Sequence, residues 1–437
     1  MKRKRIRLLV SCMLLLILFT ASISGIGGGT DRASETKRPV APIASMKMPD
    51  KPDTASLNPF TRSEITSVLG SQFIPTPLRD TFSLRREGHT FRVHTSIDTS
   101  LQNWISSKLD LNTTEQIGVV ILEPSTGRIL TVSGHDKMNP SSNPCFDSRF
   151  PAASIFKIVT AVAAVEKYGF TPSTTFTYYG RKHTLYRSQL KGQKSKYTQR
   201  ITLRDSFAQS VNPVFGKLGI HYLEKDDIEK YALSFGFNQP IPFDCPVSPS
   251  SFVLDDDLFN RAEIASGFNR RTTLSPLHGA LMASAILNRG SLLEPTLIDE
   301  IIDESGEPVY RRQKNKIGQA MSPETAAIML ELMTATIRSG TSRKAFRGYL
   351  RDKILSSLII GGKTGSISSY SNEIKYDWFV GFAGRKNKED AIAISVLVAH
   401  DGHVGKKASS YARMAIKAYF ENSLEKRMAG IDSKRAS

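Results

Sequence analysis

The sequence is poor in cysteine, tryptophan and acidic side chains, and it carries no metal-ligand spacing. Three cysteines occur in 437 residues, and Cys12 falls inside an N-terminal apolar run. Cys145 and Cys245 remain. A disulfide formed in an oxidising compartment, or two buried free thiols, would account for them. The eight histidines include no His-Glu-x-x-His and no Cys/His cluster, so no metal ion is expected. Zinc-finger spacing and the aromatic-basic pattern of RNA readers are also missing, which argues against nucleic acid as a partner. Acid is outnumbered, with 41 Asp and Glu against 59 Lys and Arg, a net charge of +18. That surplus suits a solvated basic face, or an anionic partner such as a membrane surface or polymer.

What is present is ordinary for a globular chain: 40% apolar and 23% charged residues. The length allows one large domain or two ordinary ones. Lys2, Arg3, Lys4, Arg5 and Arg7 precede an uncharged run from Leu8 to about Ile26. A run of that length is close to the ~20 residues that span a bilayer, and the basic flank would stay in the cytoplasm. Residues 1–26 are read as an uncleaved anchor in the cytoplasmic (inner) membrane, with the rest of the chain outside it, in the periplasm or its equivalent. The small residues Ala21 to Ser24 leave a cleaved signal sequence open. Leu9 to Cys12 looks like a lipoprotein box, but the apolar run follows Cys12 rather than preceding it. Residues 27–60, rich in Gly, Pro, Ser and Lys, read as a flexible tether.

A short N-terminal segment, 61–90, opens with a helix expected over Ser63–Phe73. The main domain is placed at 91–423, with a polar tail at 424–437. Within it, Phe91–Ser96 alternates as a strand, a helix follows over Leu101–Leu109, and strands at 117–122 and 128–132 form a hairpin about Pro124-Ser125-Thr126-Gly127. Residues 171–345 read as mainly helix and loop, with helices expected at 202–209, 213–222, 225–235, 275–288 and 323–337. Strands return at 357–361, 378–384 and 391–398, and a helix closes the domain at 409–420. This pattern implies an α/β (α+β) fold: one sheet with helices on its faces plus a helical subdomain. The junction of the two is the expected site.

One stretch organises the rest. Pro151 to Val165 has many alanines and no later Gly or Pro, and reads as a helix that is apolar almost all round, hence buried. It nevertheless carries Ser154 in its first turn and Lys157 three residues on, which share a face. A lysine held there is desolvated toward the neutral amine, able to activate the serine hydroxyl. The free N–H groups of a helix start could hold a developing oxyanion. Ser-x-x-Lys occurs four times in this chain, also at Ser34/Lys37, Ser188/Lys191 and Ser423/Lys426, but only Ser154/Lys157 sits in an apolar helix. The second element is Ser210-Val211-Asn212, between a helix capped by Thr202 and one started by Pro213, with Asn212 pushed toward extended backbone by the proline. The third is Lys363-Thr364-Gly365-Ser366, closing the apolar strand Leu358-Ile359-Ile360. It offers charge and a hydroxyl to a carboxylate and lacks the spacing of a phosphate loop.

In this order the three elements resemble the penicillin-binding protein transpeptidases, monofunctional and class B-like, whose Ser-x-x-Lys and Lys-Thr-Gly signatures are shared with β-lactamases. Ser-x-Asn in the middle favours the penicillin-binding proteins over class D β-lactamases. Ser96 to Gln102, Leu122 to Gly127, Leu274 to Leu277 with Asn288-Arg289-Gly290, and Trp378 to Gly381 extend the likeness over about 91–420. Ile155 stands where the family often has threonine. About 65 residues between the apolar run and the domain leave no room for a glycosyltransferase domain or a large pedestal. The resemblance implies an antiparallel sheet and a peptidoglycan D,D-transpeptidase acting on stem peptides, needing no metal or organic cofactor and blocked by β-lactam antibiotics. It implies Ser154 as nucleophile, Lys157 as its base, Ser210 as proton relay and Asn212 on the substrate amide or on Lys157. Lys363 and Thr364, with Gly365 and Ser366, would bind the substrate carboxylate, and the N–H groups of Ser154 and Ser366 would form the oxyanion hole. Other cell-wall synthesis proteins are possible partners. The alternatives are a D,D-carboxypeptidase, a class D-like β-lactamase and a non-catalytic wall scaffold.

Overall fold

A computed structural model describes residues 60–71, 77–191, 196–385 and 390–436, with side chains of the last helix described to Leu424. The expected anchor or signal sequence at 1–26, and the tether at 27–60 apart from Phe60, lie outside them. Among the described residues no helix is long and apolar enough to cross a membrane.

The chain starts with α1 (Arg62–Ser71) and a hairpin, β1 (Thr81–Arg86) and β2 (His89–Thr95), turning on Glu87 and Gly88 at φ 52° and 84°. Next come α2 (Thr99–Ser106), β3 (Thr114–Leu122), β4 (Ile129–Asp136) and β5 (Phe150–Pro151). A 3₁₀ turn (Ala153–Phe156) leads into α3 (Lys157–Tyr168). The middle of the chain holds β6 (Thr175–Tyr178), α4 (Arg187–Leu190), β7 (Gln199–Thr202), α5 (Leu203–Ala208), α6 (Asn212–Lys217), α7 (Lys225–Ser234), α8 (Leu258–Ser266), β8 (Thr273–Leu274) and α9 (Pro276–Leu287). It continues through β9 (Ser291–Leu293), β10 (Ile298–Ile302), β11 (Pro308–Arg311), β12 (Lys316–Gln319) and α10 (Pro323–Arg338). Three long strands, β13 (Leu358–Ser368), β14 (Ile374–Arg385) and β15 (Ala391–Asp401), precede α11 (Ala408–Ala436).

Local chemistry sets these boundaries. Asp98, Thr202, Ser275 and Ser322 each accept from the backbone N–H three residues on, and so cap α2, α5, α9 and α10. Pro276 and Pro323 occupy the first turn, where no N–H is needed. The central sheet is antiparallel, in the order β13-β14-β15-β3-β4. Its strands alternate between two cores. One face sends Val120, Trp378, Val380 and Leu397 toward α9. The other sends Val119, Phe379, Ile394 and Val396 toward α2 and α11. β13 is left as an edge strand, and the 3₁₀ turn packs beside it.

The sheet between two helical layers is as expected, but the middle of the chain is less helical. Seven short strands lie among the described residues of 171–345. They run two to five residues, too short to show a two-residue period. β10 and β11 complete a sheet with β1 and β2. The segment 61–90 therefore shares the main core through Ile65, Leu69 and Leu84. Arg62 fixes it further by pairing with buried Asp244 at 3.0 Å and with Glu294 at 2.9 Å. At the other end, α11 runs through the expected polar tail. Cys145 and Cys245 are both free and buried, which decides between the two readings of the pair.

Candidate active site

The Ser154 stretch is not one helix. Pro151 belongs to β5, paired with Thr273 of β8, and the Ala152 N–H donates to the Thr272 carbonyl at 2.9 Å. Trp378 Nε1 donates to the Pro151 carbonyl at 2.9 Å. Held from both sides, the chain enters the 3₁₀ turn through Ala153 at φ 48°, a left-handed backbone that costs an alanine about 1 kcal/mol or more. Gly267, which ends α8 at φ 62°, lies against this kink: a Cβ there would run into the Ala153 carbonyl. Ser154 thus sits in a first turn whose N–H groups lack intrahelical partners.

Lys157 is fully buried. Its Nζ donates to Ser154 Oγ at 2.8 Å, to Asn212 Oδ1 at 2.7 Å and to the Ser266 carbonyl. Burial, and then the charge of nearby Lys363, hold its amine well below its usual pKa. The Ser154 hydroxyl therefore faces a lysine biased toward the neutral base.

Asn212 is the first residue of α6 rather than extended. The extended residue is Val211, at φ −77° and ψ 101°. The proline's restriction is overruled because Asn212 is held on three sides. Its N–H donates to the Lys182 carbonyl at 2.7 Å, its Nδ2 to the His183 carbonyl at 3.0 Å, and its Oδ1 accepts from Lys157. Ser210 precedes it at φ 55°, which swings Oγ toward β13.

Lys363-Thr364-Gly365 lies within β13 rather than closing it. Lys363 is as buried as Lys157, and its Nζ donates to Ser210 Oγ at 2.9 Å and to the Thr364 carbonyl at 2.8 Å. Burial lowers its pKa to about 7. The lysine expected at the substrate carboxylate is hydrogen-bonded to Ser210. Gly365 passes so close to the Ser154 turn that a Cβ would lie 3.2 Å from the Ala152 carbonyl and from Ile155 Cγ1.

Ser154, Ser210, Asn212, Thr364 and Ser366 line one cavity of about 440 Å³ with His183, Gly267, Phe268, Thr341, Lys375, Asp377, Lys407 and Ser409. Sequence reasoning missed the second set. Thr341 is the most telling of them: its Oγ1 lies 2.6 Å from Thr364 Oγ1, and its N–H donates to the Ala208 carbonyl at 3.0 Å. Its only sequence signal is Gly340-Thr341 after an expected helix. His183 comes from a loop with no signal at all. Burial lowers its pKa against a contact with the Ser210 backbone, and the charges of Lys157 and Lys363 lower it further.

Residues 117–420 match the family model of the penicillin binding protein transpeptidase domain. The chain belongs to that family. A peptidoglycan D,D-transpeptidase, PbpA, of Mycolicibacterium smegmatis is 25% identical over 313 residues, covering 64% of this chain and 61% of that protein. Stage V sporulation protein D of Bacillus subtilis is 24% identical over 301 residues, 63% of this chain and 44% of that protein. The penicillin-binding family chain described here thus spans about three fifths or less of the length of these two relatives. Among solved structures, the D,D-transpeptidase domain of a peptidoglycan glycosyltransferase from Eggerthella lenta superposes with a TM-score of 0.63 at 22% identity, covering 76% of this chain and 83% of that one. Penicillin-binding protein A of M. tuberculosis, solved as a ceftriaxone acyl-enzyme, gives 0.60 at 22% identity, covering 75% and 79%. The penicillin-binding transpeptidase fold is therefore shared, with its antiparallel sheet and mixed helical layers.

Proposed function

We propose that this chain is a peptidoglycan D,D-transpeptidase that works through a Ser154 acyl-enzyme and is inhibited covalently by β-lactams. The observation that carries this is the 2.8 Å contact from the Lys157 amine, buried and depressed in pKa, to Ser154 Oγ. Lys157 takes the hydroxyl proton as Ser154 attacks the carbonyl of the penultimate D-alanine of a stem peptide. The oxyanion is held by the N–H groups of Ser154 and Ser366. Ser210 passes a proton to the leaving D-alanine, supplied by the Lys363 ammonium behind it. Thr364 and Thr341 offer hydroxyls to the substrate carboxylate, and Asn212 fixes Lys157. An amine of a neighbouring strand then displaces Ser154 and forms the cross-link.

The names of the relatives support this reading, as does the acyl-enzyme state of a structural neighbour. Export of the catalytic domain, with residues 1–26 as its membrane anchor, is part of the proposal and follows from the basic flank and apolar run. The test is time-resolved labelling by a fluorescent penicillin. Wild type is expected to form a stable adduct and Ser154→Ala none. Labelling that survives Ser154→Ala overturns the nucleophile, and rapid turnover of the adduct makes the protein a β-lactamase.

A further inference from the structure

A second, larger hollow lies along the chain segment that carries Thr341. From Arg338 to Arg351 the sequence contains Arg338, Arg343, Lys344, Arg347 and Arg351 and no Asp or Glu. All five line one cavity of about 830 Å³, together with Ile337, Phe346 and Tyr349. Its size is that of a ligand pocket. Among the described residues, none of the five cations forms an ion pair. The nearest carboxylate in sequence, Asp352, is engaged elsewhere. Burial would raise its pKa, but the Lys417 ammonium at 2.9 Å and the N–H groups of Leu355 and Ile354 hold it at about 2. Five like charges left together repel one another, and an anion would relieve that repulsion.

The hollow is built on a fixed backbone. Phe346 is buried and stacks on Phe379 of β14 at 5.9 Å. Arg413 of α11 donates from Nη1 to the carbonyls of Ala345 and Arg347, both at 3.1 Å. Four of the five cations are arginines, whose planar fork matches phosphate oxygens better than an ammonium does. The stretch also includes a residue of the active-site cavity, because Thr341 lies within it between Arg338 and Arg343.

We propose that this hollow binds a phosphate-bearing anion, a phosphodiester or pyrophosphate group, next to the transpeptidase cavity. It accounts for part of the chain's excess of positive charge and requires nothing of the Ser154 chemistry. The test uses the full chain and a fluorescently labelled glycerol phosphate oligomer, followed by anisotropy, with inorganic pyrophosphate as competitor. Arg343→Gln with Arg347→Gln is expected to weaken binding at least about tenfold and to flatten its salt dependence. Lys314→Gln with Lys316→Gln, which removes two exposed cations on and beside β12, is expected to change it by less than about twofold. Lys344→Gln with Arg351→Gln repeats the test should the first pair fail to fold. Equal weakening by both regions, or no weakening by either hollow variant, overturns the site. Equal binding of polyglutamate overturns the phosphate chemistry. Phosphatidylglycerol vesicles form the second arm. Binding of vesicles alone, lost in the same variants, assigns the phosphate to a lipid headgroup, and binding of the free oligomer assigns it to a soluble polymer.

Discussion

Lys363 Nζ donates to Ser210 Oγ at 2.9 Å from a fully buried position, and the cavity is lined by Ser210 and not by Lys363. In the proposed mechanism Lys363 acts on the substrate through Ser210. This predicts a bell-shaped pH dependence for acylation. Lys157 must be neutral to accept the Ser154 proton, and its depressed pKa places the acid limb low. Lys363 must be charged to supply a proton, and burial has brought it to about 7. The rate of penicillin labelling should fall as pH rises through about 7, and Lys363→Met should remove that limb along with much of the rate. A wild-type rate that is flat between about pH 6 and 9 would contradict the relay.

The same burial predicts a slope in stability. An unfolded lysine titrates at about 10.5 and folded Lys363 at about 7. Between those values the unfolded chain holds the extra proton, so stability rises with pH by up to about 1.4 kcal/mol per unit from this group. Below about 7 both states are charged, and the full cost of burying the ammonium is felt with no further slope. Urea unfolding of wild type and Lys363→Met across this window should converge as pH rises. Parallel curves would mean that Lys363 keeps an ordinary pKa.

The turn before Ser154 leaves no room for a side chain at Gly267. Gly267→Ala places a methyl on the Ala153 carbonyl and does so at φ 62°. The variant should lose about 1–3 kcal/mol of stability. It should also acylate on the order of 100-fold more slowly, because the Ser266 carbonyl and the Ser154 turn both move away from Lys157. Phe268→Ala, one residue on and lining the same cavity, should keep the stability and change mainly substrate affinity. The two variants are separated by thermal unfolding alongside the labelling rate.

Much of this was legible because each motif ends up on an element whose start or stop has its own chemistry. Thr202 caps α5, Pro213 sits in the first turn of α6, and an apolar strand carries Lys363. The division of the Ser154 stretch was not legible. Alanine-rich sequence favours a helix, and nothing within it signals that Trp378, Thr272 and Gly267 grip its start from distant parts of the chain. The site's other wall was hidden for the same reason: His183 and Lys375 reach the cavity only through tertiary packing. The placement of Lys363 behind Ser210 is a matter of depth, which neither motif nor periodicity encodes. The short strands β9 to β12 escaped because three to five residues, several of them charged, hold too little alternation to read.

Thr341 was invisible to motif reading and yet shares a 2.6 Å hydroxyl contact with Thr364. If the pair receives the substrate carboxylate, Thr341→Val should weaken capture by about 10- to 100-fold, the range of a hydrogen bond to a charged group. The loss should appear in the binding constant and leave the maximal acylation rate nearly intact. Penicillin labelling across inhibitor concentration measures both. A fall in the maximal rate alone would place Thr341 in the support of Ser210, through its backbone bond to Ala208, rather than on the ligand.

The two cysteines provide a check on the fold that is independent of the chemistry. Cys145 and Cys245 are both free and buried. Burial pushes the Cys145 thiol up to about 12, and raises Cys245 as well, with the charge of Asp244 adding to the effect. A thiol reacts as its thiolate, so both should be inert in the native protein. A water-soluble disulfide reagent should modify neither under native conditions and both after denaturation. A reductant should leave the melting temperature unchanged, because no covalent loop constrains the unfolded chain between them. A drop of several degrees on reduction would show that the pair can form a disulfide, and that the chain around Cys145 and Cys245 can bring the two sulfurs together.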